Sequence, residues 1–199
     1  MSHYFIKDDA LSQKRHDIEY CFKGERFRFV SSAGVFSKDG VDHATGLLLN
    51  AIPPLEKNAA LLDMGCGYGC IGIVLARTYG VRLTQADVNE TAVELTRVNC
   101  KRHGVESDVW LSDCFDGIGD RKFDVITLNP PIHAGKAVTY RMYEQSVEYL
   151  NSGGRLYVVT LKKHGAESTL AKLCEVYGSG MCSVVYKKKG YYVFECVRG

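Results

Sequence analysis

Long apolar runs are what this sequence most clearly lacks. No stretch of the 199 residues approaches the ~18 apolar residues a membrane-spanning helix requires. The opening Met1-Ser2-His3-Tyr4-Phe5-Ile6-Lys7-Asp8-Asp9 has no basic segment followed by an apolar core, so no signal peptide and a cytoplasmic location are expected. None of the eight cysteines forms a C-x-x-C pair, and no cysteine–histidine grouping has zinc spacing. Neither a disulfide framework nor a metal is expected, and the thiols read as small hydrophobes. Proline is confined to two pairs, Pro53-Pro54 and Pro130-Pro131. Internal repeats, low-complexity segments and linkers are also missing, which points to one domain over residues 1–199. With 46% apolar and 24% charged residues, disorder, collagen and coiled coil are set aside.

What is present is unevenly spread charge. The net is 0 over residues 1–58, −3 over 59–130 and +5 over 131–199. A basic final third permits a polyanionic partner without requiring one. The run Lys187-Lys188-Lys189 reads as a solvated strand end.

Residues 18–30 alternate, with Ile18, Tyr20 and Phe22 answered by Phe27 and Phe29, a hairpin signal. A helix is expected over 41–51, ended by Pro53-Pro54. From residue 59 strands alternate with helices: strands over 59–64, 82–87, 109–111, 123–128 and 156–161, helices over 71–79, from the N-cap Asn89 to Gly104, 137–150 and 166–177. Gly153-Gly154 reads as a turn. The last two strands, 181–187 and 191–197, meet at Lys189-Gly190 and must be antiparallel. This pattern predicts an α/β, doubly wound, mostly parallel sheet with helices on both faces. An N-terminal hairpin and helix (1–56) would precede the core (57–199).

Where the first core strand hands over to its helix stands Leu62-Asp63-Met64-Gly65-Cys66-Gly67-Tyr68-Gly69-Cys70-Ile71-Gly72. Ligands of such sheets bind beyond the carboxyl ends of the strands, and glycines let backbone approach them. Asp87 ends the next strand, 20 residues after Gly67, where a carboxylate can take both ribose hydroxyls. The loop therefore predicts an adenosine-containing ligand and leaves NAD and S-adenosylmethionine both open.

After the fourth core strand comes Leu128-Asn129-Pro130-Pro131-Ile132-His133-Ala134-Gly135-Lys136. Two prolines stiffen the backbone and remove two amide donors. What remains are acceptors, the Asn129 side-chain oxygen and the Pro130 carbonyl. Two fixed acceptors suit an exocyclic amine, whose lone pair they free for an electrophile. A sulfonium methyl is such an electrophile, and hydride transfer has no use for this loop.

These motifs together resemble the small-domain methyltransferases, a Rossmann-like branch of the S-adenosylmethionine enzymes. Gly34-Val35-Phe36-Ser37 with Asp39-Gly40, the 63–69 loop, Asn129-Pro130-Pro131-Ile132 followed by His133 and Gly135, and Gly153-Gly154-Arg155-Leu156 match in order. The small-subunit ribosomal RNA guanine-N2 methyltransferases are the functional analogues. The resemblance implies a Rossmann-like sheet of seven strands in the order 3-2-1-4-5-7-6, the last antiparallel. It implies that Asp63, Gly65, Cys66, Gly67, Gly69, Asp87, Val88, Asp113, Cys114 and Asn129 bind the cofactor, with Asp63 near its amino group and Asp113 at the adenine. Asn129, Pro130 and Pro131 would hold the target amine. Phe36 and Ser37 would close over the cofactor or the target base, and Ile132, His133, Lys136 and Arg141 would meet the substrate. Apart from the resemblance, Lys136, Arg141, Lys162 and Lys163 are candidate phosphate contacts, each of which alone reads rather as a surface charge.

Ile132 stands where many amino-methylating relatives have an aromatic residue, so base stacking falls to Phe36 or Tyr143. His133 is either a base or a plain polar contact. The expected activity is methylation of a purine amino group, guanine N2 in ribosomal RNA, with RNA or a ribosomal subunit as partner. A protein glutamine-amide methyltransferase, a non-catalytic RNA module and an NAD-binding protein stand as alternatives.

Overall fold

The computed structural model describes residues 15–32, 35, 40–130 and 135–199. Strands β1 (Arg15–Phe22) and β2 (Glu25–Ser32) form an antiparallel hairpin. Ile18, Phe22, Phe27 and Phe29 are buried, as a two-residue period requires of one strand face. Helix α1 (His43–Ala51) starts at Asp42, whose carboxylate accepts from the Ala44 and Thr45 amides at 3.2 Å each. It stops at Ile52, extended as the residue before a proline should be.

The core then runs β3 (Ala60–Met64), α2 (Cys70–Tyr79), β4 (Arg82–Asp87), α3 (Glu90–His103), β5 (Ser107–Leu111), β6 (Phe123–Leu128), α4 (Gly135–Tyr149), β7 (Leu150–Leu161), a 3-10 turn (Lys162–His164), α5 (Ala166–Tyr177), β8 (Cys182–Lys188) and β9 (Tyr191–Val197). The sheet order is β5-β4-β3-β6-β7-β9-β8. Numbered from β3, that is the expected 3-2-1-4-5-7-6. Strands β3 to β7 pair in parallel, and β9 is antiparallel to both of its neighbours.

Consecutive residues of β3 serve opposite layers. Leu61 packs with Leu48, Ile73 and Phe29 on the side of α1, α2, α3 and the hairpin. Leu62 packs with Ile126, Tyr143 and Leu173 on the side of α4 and α5. The strand boundaries differ most at β7, which begins at Leu150. Gly153-Gly154 lies inside this strand, where its register against β6 shifts, so the glycines mark a bulge and not a turn.

The hairpin is fastened to the core by Asn99 of α3, which is fully buried. Its Oδ1 accepts from the Val30 amide at 2.7 Å, and its Nδ2 donates to the Val30 and Tyr68 carbonyls at 2.9 and 2.8 Å. One side chain thus joins β2, α3 and the glycine loop.

Candidate active site

The loop between β3 and α2 turns sharply because Gly65, Gly67 and Gly69 all adopt positive φ, 71°, 60° and 89°, a region other residues avoid. The Gly65 and Cys66 amides donate to the Ala86 carbonyl at 2.8 and 3.0 Å. Thr96 Oγ1 of α3 donates to the Gly67 carbonyl at 2.9 Å. Helix α2 packs tightly on the sheet: a Cβ on Gly72 would stand 2.8 Å from Leu83 Cδ1 and 2.8 Å from Gln85 Nε2.

Asp63 is 1% exposed. Its Oδ2 accepts from the Gly72 amide at 3.0 Å and its Oδ1 from Thr127 Oγ1 at 2.8 Å. It therefore lies beneath the first turn of α2, whose N-cap, Gly69, has no side chain to satisfy those amides. Asp87 is half-buried; its Oδ2 accepts from the Gly67 amide and its Oδ1 from the Asn89 amide, both at 2.9 Å. Burial pushes the Asp63 carboxyl up to about 6, against its hydrogen bonds from Thr127, Gly72 and Gln85. Burial also raises Asp87, opposed by the amides of Asn89, Gly67 and Val88.

The groups bonded to these two carboxylates are all neutral. The loop therefore carries two negative charges with no bonded cation. A ligand that brings positive charge and hydroxyl donors suits it. A pyrophosphate does not, because the helix end that would bind it already faces Asp63. The Cys66 thiol, raised well above its ordinary value by burial and then by Asp87 and Asp63, is a neutral wall of this cleft.

Ser112 and the exposed Asp113 follow β5, and the Ser112 amide donates to the Asp87 carbonyl at 2.9 Å. Arg141, expected at the substrate, reaches back from α4 to Asp113, with which it forms an ion pair. Its Nη2 and Nε also lie 3.1 and 3.3 Å from Cys114 Sγ. Burial raises the Cys114 thiol and Arg141 opposes that rise.

Asn129 and Pro130 follow β6, beside the glycine loop, because Met64 and Leu128 pair in register. Asn129 Nδ2 donates to Asp42 Oδ2 and to Thr45 Oγ1, both at 3.0 Å. Asn129, Pro130 and Asp42 border a cavity of about 200 Å³ with Lys136, Tyr140, Tyr143, His164 and Tyr191. Tyr143 is 1% exposed and belongs to the core. Tyr140 and Tyr191 are the half-buried rings at this cavity, and sequence reasoning did not find them. It also missed Asp42, Thr45, Thr96 and Asn99. Thr96 and Asn99 could have been flagged as polar residues on the apolar face of a helix. Phe36, Ser37, Pro131, Ile132 and His133 lie outside the described residues.

Residues 26–195 match the model of the family described as Methyltransferase small domain. A Bacillus subtilis protein called Uncharacterized protein YbxB is 38% identical over 196 residues, 97% of this chain and 96% of that one. The Ribosomal RNA small subunit methyltransferase C of Escherichia coli is 40% identical over 131 residues, 63% of this chain and 38% of that one. Among solved structures, a T. thermophilus 16S rRNA N2 methyltransferase in complex with AdoMet and guanosine superimposes with a TM-score of 0.84 at 24% identity. That match covers 94% of this chain and 51% of the other. The chain thus spans about half or less of the ribosomal RNA enzymes it matches. The cation-seeking glycine loop and the asparagine–proline edge lie within one family match over most of the sequence, and the protein belongs to the methyltransferase small domain family.

Proposed function

We propose that this chain is an S-adenosylmethionine-dependent N-methyltransferase acting on an exocyclic amino group, with guanine N2 of ribosomal RNA as its target. In this reading residues 1–199 act as one methyltransferase domain, with 1–56 as an extension of the 57–199 core. The observation that carries it is a juxtaposition. Asn129 and Pro130 stand between a loop flanked by two carboxylates without bonded cations and a cavity walled by tyrosines.

Asp63, the 65–69 loop, Asp87, Val88, Asp113 and Cys114 would hold the cofactor. When bound, S-adenosylmethionine supplies an electrophilic methyl carbon on a sulfonium. The Asn129 side-chain oxygen and the Pro130 carbonyl accept the two hydrogens of the target amine, which turns its lone pair out of conjugation. The proton released on transfer passes to water. Tyr140 and Tyr191 flank a space that suits one extruded or single-stranded base, because a duplex base is out of reach.

RNA is favoured over protein by the surface at the cavity mouth. The Lys162 amide donates to the Gly190 carbonyl at 2.7 Å, and Leu161 pairs with Tyr191. The 3-10 turn thereby brings Lys162 and Lys163 beside the hairpin tip that carries Lys187, Lys188 and Lys189. All of these lysines are exposed, and among the described residues none makes an ion pair with a carboxylate. The names of the E. coli and T. thermophilus relatives agree with an RNA substrate.

The test is methyl-labelled cofactor offered in parallel to small ribosomal subunits, total RNA and protein extract, followed by digestion to nucleosides and amino acids. Label in N2-methylguanosine is the expected result. Label in a glutamine amide would overturn the RNA substrate, and calorimetry without heat on S-adenosylmethionine addition would overturn the cofactor assignment.

A further inference from the structure

Asn129 has a chemically ambiguous end. Its amide can present either an oxygen that accepts or an NH2 that donates, and only the first serves a target amine. The choice is made by residues far away in sequence. Asn129 Nδ2 is 3.0 Å from Asp42 Oδ2 and 3.0 Å from Thr45 Oγ1. A carboxylate only accepts. Turning the amide over would set its oxygen against the Asp42 carboxylate and give up both of these hydrogen bonds. Asp42 is itself held by α1, since its two oxygens receive the Ala44 and Thr45 amides. Asn129 borders the cavity, and with both hydrogens committed it has only its oxygen to offer there.

We propose that Asp42, assisted by Thr45, is a positioning residue for methyl transfer: helix α1 locks the Asn129 amide with its acceptor toward the target amine. This rests on the function proposed above and gives the segment before the core sheet a part in it.

Asp42→Asn is the informative change. Asparagine caps a helix about as well as aspartate, so α1 keeps its start. The new NH2, however, offers Asn129 a donor where the carboxylate offered an acceptor, and the amide is free to invert. The expected result is a fall in kcat of roughly 10- to 100-fold, with the cofactor dissociation constant and melting temperature near those of the wild type. Thr45 is buried and stands behind Asn129. Thr45→Val should lower kcat through loss of the second acceptor, and Thr45→Ser should restore it.

A readout independent of activity is exchange of the Asn129 side-chain amide protons with water, followed by NMR. They should be protected in the wild type and exchange at least roughly 10-fold faster in Asp42→Asn. Unprotected protons in the wild type, or an unchanged kcat in Asp42→Asn, would overturn the lock. Protected protons in a protein that methylates no amine would uphold the lock and overturn the proposed reaction instead.

Discussion

In the proposed reaction Asp63 and Asn129 separate the two tasks of the cleft, and each has its own test. Asn129→Ala removes one of the two acceptors proposed for the target amine while leaving the glycine loop intact. Turnover should fall roughly 100-fold, with S-adenosylmethionine affinity, measured by calorimetry, nearly unchanged. Asp63 is a matter of stability and pH. Its folded carboxyl is pushed up to about 6 from an ordinary 3.8, chiefly by burial. A raised carboxyl favours the folded state most when protonated. Its contribution is therefore fully present below about pH 3.8 and is lost as pH rises through about 6. The span corresponds to about 3 kcal/mol. Asp63→Asn cannot ionise, so its stability relative to the wild type should climb over that window and level off above it. Urea unfolding of both proteins at several pH values measures the difference.

The elements were largely legible because each carries its own local signal. Alternation marks β1 and β2, and Asn89 caps α3 as its position suggests, accepting from the Thr91 and Ala92 amides at 2.9 and 3.4 Å. The glycines announce the sharp turn between β3 and α2, where Gly65, Gly67 and Gly69 all take positive φ. What the sequence hides is the partner of a polar residue when that partner lies on another element. Nothing local links Asn129 to Asp42 across 87 positions, or Asn99 to Val30 across 69. Arg141 likewise reads as a free cation until the phase of α4 turns it to Asp113. The Asn99 clasp has a measurable consequence. Asn99→Ala strands the Val30 amide and two carbonyls away from water. It should cost about 3 kcal/mol, seen as a lower urea midpoint at unchanged slope. Because the same side chain holds the Tyr68 carbonyl, affinity for the cofactor should weaken as well.

At the scale of the whole molecule, charge and cavity are gathered at one end. The acidic middle third supplies the glycine loop proposed to hold the cofactor, and the basic final third supplies the lysine tract beside Tyr191. If the proposed RNA substrate is right, its binding should weaken steeply with salt, and removing the charges of Lys187, Lys188 and Lys189 should reduce the slope of log affinity against log salt by roughly 2. Titration of a fluorescent RNA between roughly 50 and 200 mM salt is the measurement. An unchanged slope would remove the tract from the RNA site.

The position of β8 at the end of the sheet order bears on how that last variant should be made. Its outer flank has no partner strand among the described residues, and Val184 and Val185 are 42% and 38% exposed along it. A bare rim of this kind invites another chain to add itself by backbone pairing, and lysines are a common deterrent. Lys187 and Lys188 thus suit a guard against self-association as well as the RNA contact proposed for them. Neutral replacements would confound lost grip with clumping, whereas glutamates would keep the rim repulsive; because they reverse the charge, they should lower the salt slope by more than charge removal alone.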